Sequence, residues 1–198
     1  MMFEERPQIH HHKALGHLAK EPITDIVKFS ISRLLKLRLP WLLVGLLGGI
    51  IATLIVRFFE GALEQKLALA FFIPVIVYMS DAVGTQTETL FIRALAIEKI
   101  NLKKYLFKET IIGFFMGAVL SVLLYFYAVL VFDDVSVAAI VGVSMIISSI
   151  FAVLIATFVP LLLRSFGKDP AVGAGPFTTI VQDILALLVY FLVASLIL

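Results

Sequence analysis

Residues 67–96, LALAFFIPVIVYMSDAVGTQTETLFIRALA, begin as an apolar membrane span and continue as a polar one. The second half carries the acids Asp81 and Glu88 before it closes on Arg93. A carboxylate near the middle of a bilayer costs at least about 2.5–3.5 kcal/mol on the insertion scale. Seven residues are close to two helical turns, so the two acids would share one face, about 10 Å apart along the axis. That face must contact water, an ion or another polar face rather than lipid.

The composition of the whole chain is that of an integral membrane protein. Its 198 residues are 61% hydrophobic and only 15% charged, well outside the range of a soluble domain. The absence of cysteine excludes disulfides, thiolate nucleophiles and thiolate metal ligands. The length allows about five spans of roughly 20 residues, which makes an all-α fold of five transmembrane helices the predicted class. The predicted spans are residues 40–59, 67–96, 110–132, 137–163 and 171–198.

The segment before the first predicted span divides into two parts. Residues 1–22 are polar and mixed in charge, without a cleavable signal pattern, and are predicted to form a cytoplasmic tail. Residues 23–39 combine recurring apolar positions with a basic side. This pattern is typical of an amphipathic helix lying along the inner leaflet, in contact with membrane lipid. A cytoplasmic extension of the first span would show the same pattern.

The distribution of basic residues predicts the orientation of the chain. Seven Lys and Arg residues precede the first span, five lie between residues 93 and 108, and two lie at residues 164 and 168. In a five-span arrangement all of these fall on one side, which leaves only Arg57 and Lys66 on the other. The positive-inside rule then places the N-terminus in the cytoplasm and the C-terminus outside. The expected location is the cell membrane, crossed several times.

The last predicted span, residues 171–198, is the second unusual element. It opens with glycines and Pro176, continues through Thr178, Thr179 and Asp183, and then becomes almost wholly apolar. Thr179 and Asp183 are four residues apart and so would share one helix face. Oxygen ligands of this kind suit a hard cation such as Mg²⁺, which usually keeps several of its waters. Carboxylates alone do not separate Mg²⁺ from Ca²⁺, Mn²⁺ or a proton-coupled route.

Two further features of the spans carry expectations about helix geometry. Pro74 removes one backbone donor in the second span and is expected to break or bend that helix. The fourth span contains several hydroxyls, which we expect to bond carbonyls of their own helix rather than form a site. These hydroxyls are those of Ser144, Ser148, Ser149 and Thr157.

Two motifs resemble the transmembrane domain of the MgtE family of magnesium channels and transporters. Residues 72–96, FIPVIVYMSDAVGTQTETLFIRALA, resemble the family's second span, in which a proline-containing half leads to a Gly-Asn-Ala-Gly-x-Gln core and an Arg-x-Leu-Ala ending. Residues 169–183, DPAVGAGPFTTIVQD, resemble the family's last span. This chain departs from the family pattern because Asp81 and Ala82 replace the Gly-Asn pair, and Thr85 stands where a second Asn is common.

The resemblance implies a homodimer in which spans two and five of each subunit line a central pore for Mg²⁺, the transported and bound ion. Membrane lipid and the ion are the other expected partners, with no nucleic acid. The resemblance also implies that Asp183 holds hydrated Mg²⁺. Asp81, which stands where the family has Gly, is predicted to be an auxiliary ligand. Most members carry N-terminal Mg²⁺-sensing domains, including a pair of CBS domains, which this chain is expected to lack. The predicted metal ligands are Asp183, Asp81, Glu88 and Thr179, and the predicted pore-lining residues are Ala82, Gly84, Thr85, Gln86, Pro176 and Thr178.

Three alternatives remain open for the intramembrane acids. A proton- or sodium-coupled exchanger of divalent cations would use the same residues. An intramembrane aspartyl protease needs two acids that share a proton, a role open to Asp81 and Asp183, although neither stands in a Gly-x-Gly-Asp setting. A hydrogen bond between them within one subunit would favour the protease, and a gap would favour transport. In a purely structural alternative, the three acids hydrogen-bond between helices, and Glu88 forms an ion pair with Arg93 or a basic residue of the following loop.

Overall fold

The computed structural model describes residues 30–97, 100–167 and 170–198, and all the regular elements in these ranges are α-helices. The predicted all-α class is therefore confirmed for this part of the chain. Contacts divide the chain into residues 1–39 and residues 40–198. The predicted tail and residues 23–29 of the predicted interfacial helix lie outside the described residues. The helices are α1 (Ile31–Phe58), α2 (Glu60–Gln65), α3 (Ala68–Ile97), α4 (Leu102–Phe132), α5 (Val135–Ser165) and α6 (Pro170–Ile197).

Four of these helices are long and apolar enough to cross a bilayer. They correspond to predicted spans two to five, and the first predicted span corresponds to the shorter apolar stretch Leu42–Phe58 of α1. The chain is thus a multi-pass membrane protein. The four stretches are Ala68–Ala96, Leu102–Phe132, Val135–Ser165 and Ala174–Ile197.

Two predicted boundaries differ from the observed ones. Helix α4 begins at Leu102, eight residues before the predicted start at residue 110, because Asn101 caps it by accepting a hydrogen bond from the Lys104 backbone N–H at 3.2 Å. Helix α3 continues through Pro74, so the expected break in this span is wrong. In apolar surroundings every other backbone group still needs a partner, and an unbroken helix supplies one.

Helix α5 is the central helix and packs against α3, α4 and α6. Its contact with α4 is close because glycines of α4 face it: a methyl group at Gly117 would lie 2.9 Å from the Ile146 Cα. The largest apolar cluster includes the first half of α3 and the second half of α6, where the Tyr190 hydroxyl of α6 donates a hydrogen bond to the Leu69 carbonyl of α3 at 2.9 Å. The core includes Leu69, Phe72, Ile76, Val137, Ile140, Val141, Met145, Leu187, Tyr190 and Phe191.

An ion pair joins the start of α3 to the turn between α4 and α5. The Lys66 ammonium group pairs with Asp134, whose other oxygen accepts from the backbone N–H groups of Ser136 and Val137 at 3.0 and 3.2 Å. Asp134 is therefore the N-cap of α5. The hydrogen bond from Lys66, followed by that from Ser136, holds the pKa of Asp134 well below its usual value.

Replacing Asp134 with alanine should lower the free energy of unfolding by about 1 kcal/mol, because both the cap and the ion pair are lost. A carboxyl group with a lowered pKa stabilises the fold fully above its unfolded value of 3.8 and loses that effect as the pH falls further. In detergent, the difference in unfolding temperature between wild type and Asp134→Ala should therefore be the same from about pH 5 to pH 8. Glu64→Ala, at an exposed acid of α2, is the control and should change little. Equal stability of Asp134→Ala and wild type at pH 7 would contradict the assignment.

Candidate functional site

Helices α1 and α6 enclose a cleft of about 510 Å³. One wall carries Asp183, Thr179 and Pro176, which are three of the predicted site residues, and glycines of α1 form most of the other wall. Methyl groups at Gly45 or Gly49 would meet no atom within 4 Å, so this wall has open space in front of it. The lining residues are Leu42, Gly45, Gly48, Gly49, Ala52, Pro176, Thr179, Ile180 and Asp183.

The three predicted acids are neighbours, but they do not form a close cage. Asp81 of α3 lies close enough to repel the carboxylate of Asp183 and also that of Glu88. The Asp81 Oδ1 atom is buried and has no hydrogen-bond partner. Within the described ranges, no group of three acid or histidine side chains has the spacing of a metal site. A divalent ion near Asp183 would therefore have to keep most of its water, as Mg²⁺ usually does.

The polar half of α3 is divided between two faces. The outer face contains Thr85 and Gln86, which are exposed, and Ala82, which is half-buried. The inner face packs against the neighbouring helices, and its polar residues are buried: Glu88 is 7% exposed. The inner-face residues are Ser80, Gly84, Thr87 and Glu88. Predicted pore-lining residues therefore lie on both faces, with Gly84 inside and the other three on or near the outer face.

At Gly84, helix α3 is in close contact with the Gln182 side chain of α6. A Cβ atom at this position would lie 1.9 Å from the Gln182 Nε2 atom. Gln182 is 1% exposed, and its Nε2 group donates a hydrogen bond to the Ala152 carbonyl of α5 at 3.0 Å. The position in front of Gly84 is therefore filled by the Gln182 side chain, and Gly84 does not face an open path. The same amide links three helices, because it belongs to α6, contacts α3 and bonds α5.

Glu88 has a hydroxyl neighbour on α6 and no basic partner among the described residues. The Thr178 hydroxyl faces its carboxylate, although their geometry does not complete a hydrogen bond. Arg93 lies on the exposed surface of α3, and the ion pair between Glu88 and Arg93 that the sequence left open is not formed. Thr178 itself is buried, at 1% exposure.

Several buried polar residues were missed or misjudged from the sequence. Glu109 of α4 is 8% exposed and accepts a hydrogen bond from Thr87 at 3.1 Å, although it lies before the predicted start of the third span at residue 110. Thr157 bonds the Val153 carbonyl of its own helix at 2.9 Å, as expected. The same expectation is wrong for three serines of α5, which are buried with unpaired hydroxyls because they face other helices. These are Ser144, Ser148 and Ser149.

Substituting Gly84 tests the contact between α3 and α6. Gly84→Ala should displace Gln182 from the Ala152 carbonyl and lower the free energy of unfolding by about 1–3 kcal/mol, because a buried polar group loses its partner. Gly45→Ala is the matched control, since its new methyl group meets open space and a helical alanine is favoured over glycine. Thermal unfolding of both variants in the same detergent measures the difference. A Gly84→Ala protein as stable as Gly45→Ala would show that the contact is unimportant.

These features together define a class of protein. The long apolar helices contain buried and half-buried carboxylates. Asp81 and Asp183 repel each other but share no hydrogen bond in the described structure. Shared-proton catalysis needs two acids in hydrogen-bond contact, whereas acids separated by a gap suit a passing cation. The arrangement is that of a multi-pass membrane protein with acidic side chains among its apolar helices.

Comparison with known proteins identifies the family. The model of the MgtE family, described as a divalent cation transporter, matches residues 73–193. The chain is 37% identical over 161 residues to the magnesium transporter MgtE of Bacillus subtilis (strain 168), which covers 80% of this chain, and 36% identical over 165 residues to that of Thermus thermophilus, which covers 81%. A third relative, from Enterococcus faecalis, is 29% identical. The chain spans 36% of the length of each of these curated relatives.

The chain belongs to the MgtE family of divalent cation transporters. This membership confirms the resemblance inferred from residues 72–96 and 169–183. The family consists of transporters rather than enzymes, so the protease alternative is not supported.

Proposed function

We propose that this chain transports a divalent cation across the membrane and that Mg²⁺ is its cargo. The observation that carries the proposal is Asp183, a carboxylate inside an apolar helix that opens onto the cleft beside α1. The relatives named as magnesium transporters support the choice of ion. In this proposal Asp183 is the main ligand, Asp81 is auxiliary, and Thr179 adds a hydroxyl one turn away.

The transporting unit is proposed to be a homodimer whose α3 and α6 helices line the ion path. The support is the outer face of α3, where Thr85, Gln86 and Thr89 are exposed within an apolar helix. Such residues are unfavourable against lipid and mark a water path or a protein contact. A second copy related by twofold symmetry would bring two such faces together around one aqueous path. Each subunit would cross the membrane five times, with its N-terminus in the cytoplasm and its C-terminus outside.

Flux into liposomes tests this function directly. The purified chain should carry Mg²⁺ into vesicles loaded with a Mg²⁺ indicator, and parallel runs with Mn²⁺, Co²⁺ and Ca²⁺ should rank its selectivity. Runs with and without a pH or sodium gradient separate uncoupled transport from the exchanger alternative, which requires the gradient. Native mass measurement of the same preparation gives the oligomeric state. A folded chain that carries none of these ions would refute the function, and a monomer that conducts in lipid would refute the dimer.

Asp81→Asn should change the ion preference while retaining transport. The substitution removes one negative charge near Asp183 and supplies an amide oxygen, so the site loses electrostatic attraction but keeps an oxygen ligand. We expect the ratio of Mg²⁺ flux to Ca²⁺ flux to shift by roughly threefold or more in the liposome assay. The free energy behind a threefold change is within that of a single exposed ion pair. Unchanged flux ratios for all four ions would place Asp81 outside the ion path.

A further inference from the structure

The inner face of α3 packs against α6 in a buried polar cluster that is separate from the cleft beside α1. Gly84 and Glu88, one turn apart on α3, lie opposite Gln182 and Thr178, which are one turn apart on α6. The Ala152 carbonyl of α5 bonds Gln182 and lies at a third side. None of these five residues lines the cleft that contains Asp183.

The side chains of this cluster have acceptor atoms without a hydrogen-bond partner. Thr178 and Gln182 are each 1% exposed, and the Thr178 Oγ1 and Gln182 Oε1 atoms have no hydrogen-bond partner. Thr178 contrasts with Thr110 and Thr157, whose hydroxyls bond carbonyls of their own helices at 2.8 and 2.9 Å. A buried acceptor without a partner is costly in apolar surroundings. A ligand that accepts electron pairs from both oxygens would remove this cost.

The Glu88 carboxylate in this cluster also lacks a compensating charge. Glu88 is 7% exposed, faces the Thr178 hydroxyl, and is repelled by Asp81. No lysine or arginine pairs with it in the described part of the chain. A buried carboxylate of this kind must be neutralised by a cation or by a proton. Protonation would neutralise Glu88 and leave the Gln182 Oε1 atom without a donor, whereas a cation accepts electron pairs from carboxylate, hydroxyl and amide oxygens alike.

Close packing within the cluster limits the cation. A methyl group added at Gly84 would overlap the Gln182 amide, so a hydrated ion does not fit beside Gly84. Mg²⁺ gives up its waters reluctantly and requires near-octahedral geometry, so a hydrated divalent ion does not suit this position. A single carboxylate combined with neutral hydroxyl and amide oxygens balances one positive charge.

We propose that each subunit binds a dehydrated monovalent cation, with sodium as the candidate, between α3 and α6 through Glu88, Thr178 and Gln182. This assigns Glu88 to a site within one subunit rather than to the divalent ion path. The proposal does not depend on Mg²⁺ transport, because the two sites share no ligand. A bound cation would hold α3 against α6 and so connect sodium binding to the position of the ion-path helices.

Binding of radioactive sodium to the purified full chain, measured at pH 8 without divalent ions, tests the proposal. Wild type should bind sodium saturably, with displacement by NaCl but not by choline chloride. Glu88→Gln should weaken binding by about tenfold or more, and Thr178→Val should weaken it by about tenfold, since each removes one ligand of a charged group. Thr157→Val is the matched control, because its hydroxyl bonds its own helix, and should leave binding unchanged.

Thermal unfolding gives a second readout that does not require tight binding. Sodium should raise the unfolding temperature of wild type and Thr157→Val relative to choline, and it should not raise that of Glu88→Gln. Asp183→Asn should reduce Mg²⁺ flux yet keep the sodium effect, which separates this proposal from the proposed transport. The proposal is wrong if folded wild type binds no sodium, if Glu88→Gln and Thr178→Val bind as wild type does, or if Asp183→Asn abolishes binding. A fold stabilised by lower pH and indifferent to sodium would show that a proton neutralises Glu88.

Discussion

Asp183→Ala should reduce Mg²⁺ flux by at least about tenfold, the effect of losing a charged ligand. Asp183 opens onto the cleft between α1 and α6 and is followed by fifteen uncharged residues of its own helix. No neighbour on α6 neutralises its charge, and we expect an ion in the cleft to do so. Asp183→Asn keeps the shape and one ligand oxygen, so its flux should fall less than that of the alanine variant.

Folding should not limit either Asp183 variant, because an uncompensated carboxylate is a cost to the empty protein. The unfolding temperature in detergent without Mg²⁺ should be equal to or higher than that of wild type. Glu64→Ala, at an exposed acid outside the cleft, is the control for flux and should transport normally. Wild-type Mg²⁺ flux in a folded Asp183→Ala protein would mean that the ion path lies elsewhere.

Gly49→Leu should block transport by filling the cleft from the side of α1. A Cβ atom at Gly49 meets nothing within 4 Å, and the residue lines the cleft opposite Asp183. A leucine side chain there would place apolar atoms in front of the carboxylate, and apolar constrictions exclude ions by dewetting. We expect Mg²⁺ flux to fall by about tenfold or more while the helix gains about 1 kcal/mol of intrinsic propensity.

Gly61→Leu provides the matched control for Gly49→Leu. Gly61 also has open space around its Cα and lies in α2, outside the cleft. Both variants make the same chemical change in a helix, so a flux defect confined to Gly49→Leu would reflect position. Normal flux in folded Gly49→Leu would show that ions do not pass between α1 and α6.

The helices and the acidic residues were predictable from local sequence. Hydropathy located the apolar spans that became α3 to α6 because lipid-facing and buried helices are both apolar. The three carboxylates stood out because charges inside spans are rare. The start of α4 was missed because the basic residues after Asn101 masked its cap. The break considered at Pro74 is absent, since one missing donor does not outweigh the other hydrogen bonds of the helix.

The sequence by itself determined that this is a helical membrane protein of the MgtE family with acids in two of its spans. Only the tertiary structure decided which polar residues meet. A helix pattern places Asp81 and Glu88 on related faces, but the packing of α5 and α6 encloses Glu88 with Thr178, while Asp183 opens toward α1. Spacing along one helix does not specify which neighbour covers each face, because that depends on contacts between residues distant in the chain.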